Sequence, residues 1–150
     1  MEIYKEDFMI VYNYELRVQY FETDQMHYVH HGRYIEYFER ARTEMLRDFG
    51  LPYSEIENMG YFMPVKEVGV TYKSPAFYED MLIVECKVSG ANSPVVRIDH
   101  KIYKKESGIV VVEGFVKLVF VSRETKRPIK PPVLYTDMIN KLLVEFENAE

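Results

Sequence analysis

The stretch from Thr23 to Leu51, TDQMHYVHHGRYIEYFERARTEMLRDFGL, decides the fold. Asp24 closes a strand-like run, and a short loop carrying His27, His30 and His31 follows it. From Gly32 onward Tyr34, Phe38, Ala41, Met45 and Phe49 recur at three- and four-residue intervals, with Glu36, Arg40, Glu44 and Arg47 on the other side. That spacing predicts a long amphipathic helix. Glu36 and Arg40 are placed for an i,i+4 ion pair, and Gly50 followed by Pro52 is a stop signal. Ile35 and Tyr37 widen the apolar face, as expected of a helix wrapped by a sheet. The acid thus falls beside a helix N-terminus, where unpartnered N–H groups gather partial positive charge. Carbonyl chemistry suits such a place.

Outward from this stretch the period changes to two. Tyr12, Tyr14, Leu16, Val18 and Tyr20 alternate with polar residues and predict a strand upstream. Downstream, extended structure resumes near Phe62 after a connector, Leu51 to Gly60, with one helical turn. Val68, Val70 and Tyr72, then Val84, Cys86 and Val88, then Val96, Ile98, His100 and Ile102 mark three alternating strands. Ser74-Pro75, Ser89-Gly90 through Pro94, and Glu106-Ser107-Gly108 supply the turns, the last suited to a hairpin. Ile109 to Val121 is a fourth strand, nearly continuously apolar towards its end, which predicts either cover on both faces or contact with another subunit. Pro131-Pro132 opens a final helix with Leu134, Met138, Leu142 and Phe146 on one stripe. The order of strand, long helix, four strands and terminal helix reads as α+β, an antiparallel sheet covering the helix.

At 150 residues the chain fits one domain, 1–150, able to bury a core without disulfides or metals. Hydrophobic residues make up 47% and charged residues 29%, ordinary for a folded globular chain. The net charge of -5 argues against a general nucleic-acid binder. Cys86 is the single cysteine; in its alternating run it is expected to be a small buried hydrophobe, which suits a reducing compartment. The acids near the N-terminus and the lack of a bilayer-length apolar run predict a cytoplasmic protein without membrane insertion.

The run Tyr20-Phe21-Glu22-Thr23-Asp24, the spacing of His31 and Tyr34, Glu39-Arg40-Ala41-Arg42 in the helix, and Tyr72-Lys73-Ser74-Pro75-Ala76-Phe77-Tyr78-Glu79-Asp80 resemble the 4-hydroxybenzoyl-CoA thioesterase family of hotdog-fold proteins. Within it the chain is most similar to the small acyl-CoA thioesterases associated with the Tol-Pal system. The resemblance implies a five-stranded antiparallel sheet around the long helix, a C-terminal helix, edge-to-edge pairing into homodimers or homotetramers, and hydrolysis of acyl-CoA thioesters. It implies no cofactor beyond the coenzyme A of the substrate. Asp24 falls at the catalytic carboxylate position, and His31 where a backbone N–H faces the thioester carbonyl. His27, Tyr28, His30 and Tyr34 are the expected substrate-binding residues. His27 departs from the pattern, standing where the family has glycine, and such a position often lets backbone approach a ligand. The departure motivates an alternative, a non-catalytic acyl-CoA or acyl-carrier-protein binding module.

The bare chemistry agrees with thioester hydrolysis. A thiolate leaves without strong protonation, free thiols having a pKa of about 8.5, so one carboxylate as general base or nucleophile and one N–H for the oxyanion suffice. Lys126, Arg127 and Lys130 are clustered cations able to meet the phosphates of coenzyme A. The histidine cluster lacks an evident further ligand, so no metal site is expected. His100 falls on the apolar face of its strand and reads as a core or interface histidine. No Gly-x-Ser-x-Gly elbow, P-loop or dinucleotide fingerprint is present.

Overall fold

A computed structural model describes residues 2–4, 9–89 and 93–149. The turn at 90–92 and the Phe146 side chain lie outside the described residues. The alternating segments form β2 (Met9–Arg17), β4 (Val65–Tyr72), β5 (Met81–Ser89), β6 (Val95–Lys104) and β7 (Val110–Val119), and the central helix is α1 (Arg33–Asp48). These five long strands gain a sixth, short β1 (Glu2–Tyr4), in the antiparallel order β1-β2-β5-β6-β7-β4. A six-residue α2 (Tyr53–Asn58) occupies the connector, and β3 (Tyr61–Phe62) pairs with β8 (Val121–Ser122) as a separate ribbon. The chain ends in α3 (Val133–Ala149). Among the described residues, no helix is long and apolar enough to cross a membrane.

Register explains how the helix sits. Tyr12 pairs with Cys86, Cys86 with His100, His100 with Gly114 and Gly114 with Val70, a row running across the sheet under α1. Phe38 stacks on the His100 ring at 4.4 Å between centroids with planes 7° apart. A Cβ on Gly114 would stand 3.0 Å from the Phe38 ring and 2.4 Å from the Gly69 carbonyl oxygen. The missing side chain therefore lets both the helix and β4 approach. Tyr37, Phe38, Ala41 and Met45 are fully or almost fully buried along this face, each large side chain contributing roughly 1.5–3 kcal/mol. The helix ends as its sequence directs, with Gly50 at φ 93° and the Leu51 N–H donating to Leu46 O.

Several expectations change in the structure. The upstream strand stops at Arg17; Val18 stays buried, bonded to the 79–80 loop, while a 3-10 turn over Tyr20–Glu22 swings Tyr20 into solvent. Glu36 pairs with Arg33, Nη1 to Oε2 at 3.0 Å, and Arg40 lies instead over the Tyr14 ring. Ile35 is exposed and Arg42 takes the buried position next to Ala41. The apolar run from Ile109 resolves by changing layers. From Val110 through Val119 it belongs to the sheet, with outward Phe115 covered by Arg97 at 4.3 Å. Phe120 then leaves the sheet and packs at 4.9 Å on Tyr135 of α3. The buried stripe of α3 is accordingly Tyr135 and Ile139, with Met138 and Leu142 packed beside them, while Leu134 points to solvent.

His100 is buried, its Nδ1–H donating to the Glu85 carbonyl at 3.1 Å, and its Nε2 has no partner among the described residues. Burial, aided by the nearby Arg42 charge, pushes the imidazole down to about 3. The unfolded imidazole takes its proton near 6.5 and the folded one only near 3, so acid favours the unfolded chain. Stability present above pH 6.5 should fall towards pH 3, by up to about 1.4 kcal/mol per pH unit from this group. Denaturant midpoints at pH 7 and pH 5 for wild type and His100→Gln should show a smaller acid loss in the variant.

Candidate active site

Two distant motifs build the site. After the 3-10 turn, the Glu22 carboxylate turns inward, 4% exposed, and Oε1 accepts from the Gln19 N–H at 2.8 Å. The Glu22 carbonyl accepts from His30 N–H at 2.9 Å, closing the loop between them. Inside that closure Asp24 N–H donates to Tyr28 O at 2.9 Å, His27 N–H to Asp24 O at 3.0 Å, and Met26 N–H to Asp24 Oδ1 at 2.8 Å. The second motif holds the loop from outside. Val29 N–H donates to Ala76 O at 2.9 Å, and Tyr28 pairs with Phe77.

The tight turn explains residue 27. His27 adopts φ 70°, the left-handed region that favours glycine, so the structural demand of the position is met by a non-glycine residue at a cost of about 1 kcal/mol or more. Its exposed side chain is not part of the cavity wall.

Asp24, Tyr28, His31 and Tyr34 converge with Tyr72 and Ser74 on a cavity of about 510 Å³. His30 is exposed beside it; its Nδ1 accepts from Gly32 N–H at 3.1 Å and its ring stacks on His31 at 4.1 Å. The amides around His31 are occupied, Arg33 N–H by His30 O at 2.9 Å. Among the described residues the His31 N–H has no acceptor. The His31 carbonyl is anchored instead, accepting from the Tyr72 hydroxyl at 3.0 Å. The site therefore sets a carboxylate, with Oδ2 left over after the Met26 bond, on the same cavity as a residue with a free N–H just ahead of α1. Burial pushes the Tyr34 phenol up to about 12, partly offset by the Ala76 backbone. It remains a neutral hydroxyl at physiological pH.

Lys126, Arg127 and Lys130 lie elsewhere in the chain. All three are exposed on the segment after β8, and Lys126 sits 4.6 Å over the Phe62 ring at a second cavity of about 770 Å³. That cavity adjoins Pro64 and Val65, whereas the Asp24 cavity adjoins Tyr72 to Pro75. The two mark opposite ends of β4. Tyr72, Glu22 and Arg42 carry roles the sequence left undefined. Only the Gln19 to Glu22 spacing, that of a capping box, signalled one of them.

A sheet curled round one long helix is the hotdog arrangement. The chain belongs to the thioesterase-like superfamily, whose family model matches residues 18–142. It is 28% identical over 122 residues to the acyl-CoA thioesterase YbgC of Haemophilus influenzae, covering 81% of this chain and 88% of that one. The crystal structure of the DHNA-CoA thioesterase from Staphylococcus aureus superposes with a TM-score of 0.80 at 25% identity, over 93% of this chain and 95% of that one. A 4-hydroxybenzoyl CoA thioesterase mutant solved with 4-hydroxybenzoyl CoA shares the fold, with a TM-score of 0.76 at 17% identity over 86% and 98% of the two chains.

Replacing His27 by glycine should relieve the left-handed backbone and raise unfolding stability by roughly 0.5–1 kcal/mol. Thermal and urea denaturation measure it; a loss of stability would mean that the imidazole itself holds the loop.

Proposed function

We propose that the protein hydrolyses acyl-CoA thioesters, with Asp24 as general base or nucleophile and the His31 N–H polarising the carbonyl. The observation that carries the reading is that Asp24, with one carboxylate oxygen unbonded, and His31, whose N–H has no acceptor among the described residues, line one cavity. Asp24 Oδ1 is held by Met26, which leaves Oδ2 to take a proton from water or to attack the thioester carbon. As the carbonyl becomes tetrahedral its oxygen gains negative charge, and a fixed N–H near a helix N-terminus stabilises it more than the ground state. With Asp24 as base, the C–S bond breaks, coenzyme A leaves with the proton that Asp24 took from water, and the free acid remains. With Asp24 as nucleophile, thiolate departure leaves a mixed anhydride on Asp24, which water hydrolyses to the free acid and the regenerated carboxylate. Tyr72 holds His31 in place through its carbonyl, and Tyr28 and Tyr34 wall the acyl group.

The reading extends to a pair of chains. β4 is a sheet edge with Val65, Val68 and Tyr72 52%, 39% and 51% exposed, and exposed apolar edges invite pairing. Antiparallel pairing of β4 with a second copy, centred on the strand, sets the Val65 end of one beside the Tyr72 end of the other. Lys126, Arg127 and Lys130 of one copy then serve the Asp24 cavity of its partner, where they meet coenzyme A phosphates. Tetramers would be pairs of such dimers.

Thiol release from a panel of short, long and aromatic acyl-CoAs tests the chemistry. Wild type should turn over at least one, and Asp24→Asn should lose at least a hundredfold in kcat with an unchanged melting curve. Saturable binding of a nonhydrolysable acyl-CoA analogue without any turnover by wild type would instead support the binding-module alternative that His27 raises. Sedimentation tests the pairing: wild type should run at no less than twice the chain mass and Val68→Lys as a monomer.

A further inference from the structure

Glu22 is a buried carboxylate that the thioester chemistry does not use. Its side chain is 4% exposed, and the donor it holds among the described residues is the Gln19 N–H, at 2.8 Å on Oε1. A carboxylate taken out of water needs more than one donor to offset its lost hydration. Arg33 lies within electrostatic reach, but its guanidinium is paired with Glu36 at 3.0 Å. The complementary orphan is on the helix. Tyr37 is fully buried, and its hydroxyl is shielded from water with no hydrogen-bond partner among the described residues. It faces the Glu22 carboxylate, whose negative charge adds to burial in raising the phenol. A residue needed for packing alone would serve better as phenylalanine, because a buried hydroxyl without an acceptor carries the full cost of its lost hydration. A carboxylate short of a donor and a hydroxyl short of an acceptor complete each other, and an O–H donating to a buried anion is among the stronger hydrogen bonds.

The places of the two residues in the chain give the pair its consequence. Glu22 stands two residues before Asp24, and its carbonyl accepts from the His30 N–H at 2.9 Å, next to His31. The bridge between Thr23 and Val29 closes the same ribbon. Tyr37 lies just past the first turn of α1, and its ring meets Tyr34 of the cavity wall edge-on at 5.8 Å. One residue thus reaches the helix with its side chain and the His31 end of the loop with its main chain. We propose that the Tyr37 hydroxyl donates to the Glu22 carboxylate and that this bond pins the Asp24 loop to α1. Glu22 and Tyr37 are then positioning residues for the spacing between the Asp24 carboxylate and the His31 amide. Their effect on rate rests on the thioesterase reading; the pinning of the loop does not.

Two variants of the full chain test it. Tyr37→Phe removes one oxygen and keeps the ring, and Glu22→Gln keeps the size and removes the charge. Amide hydrogen exchange, read residue by residue well below the melting transition, reports the pin, because loop amides exchange through local opening. The bonded amides of Asp24, Val29 and His30 should exchange at least fivefold faster in Tyr37→Phe. Those of Ser122 and Lys126, bonded in the segment at the other end of β4, should keep their wild-type rates. With an acyl-CoA that wild type hydrolyses, each variant should lower kcat at least tenfold and leave KM within twofold. The double variant should be no slower than the worse single one, since both break one bond. Unchanged loop exchange in Tyr37→Phe, equal acceleration at Ser122 and Lys126, a kcat close to wild type, or losses that multiply in the double variant would each overturn the proposal. Absence of turnover by wild type would sink the thioesterase reading alone, and the exchange rates would still decide the pin. If Glu22→Gln fails to fold, Tyr37→Phe carries both measurements.

Discussion

The contact on which the rest depends is Phe38 lying flat on His100 in the gap that Gly114 leaves. It fixes how closely the helix approaches the sheet, and so where both of its ends fall. A side chain at position 114 would have to displace the helix ring on one side and the β4 backbone on the other. Tightly packed interiors do not absorb such changes locally. The helix N-terminus, the Asp24 loop before it and the edge strand beside it would shift together.

Chemistry and architecture meet through the loop between the 3-10 turn and α1. The amides of His30, Gly32 and Arg33 are bonded within the loop, and the His31 amide between them, which has no acceptor among the described residues, is one that a carbonyl ligand can use. Under the proposed chemistry such a site is organised before substrate arrives, which is what electrostatic stabilisation of a transition state requires. The cost appears at His27, whose backbone is held in a conformation its side chain disfavours. Strain at one exposed residue is the counterpart of a carboxylate held in a single orientation.

Much of this was legible in the chain. The period-two runs around Val84, Cys86 and Ile98 and the helical row from Tyr34 to Phe49 each reflect one face turned to one core, a local property. The motif around Asp24 placed a carboxylate just ahead of a helix start, and the structure has that placement. What was not legible depends on contacts between distant segments. Tyr72 meets the His31 carbonyl across 41 residues, and no spacing rule reports that. Arg42 was read as part of a charged motif, yet its backbone position faces inward, and only the packing of α2 and β3 nearby decides that it is enclosed. The phase of α3 was misjudged because Phe120, which leaves the sheet to meet Tyr135, selects the buried stripe. The exposure of Val65, Val68 and Tyr72 likewise became visible only when β4 proved to be the sheet edge.

Cys86, in the middle of the row beneath the helix, is fully buried, and burial pushes its thiol up to about 12. Thiolate is the reactive form, so the folded chain presents no sulfur nucleophile to solvent. Since this is the protein's single cysteine, a thiol-detecting reagent added to the folded protein reports sulfur released from other molecules. The same reagent becomes a clock for the opening of the core once that core loosens, because modification of Cys86 requires the helix to lift from the sheet.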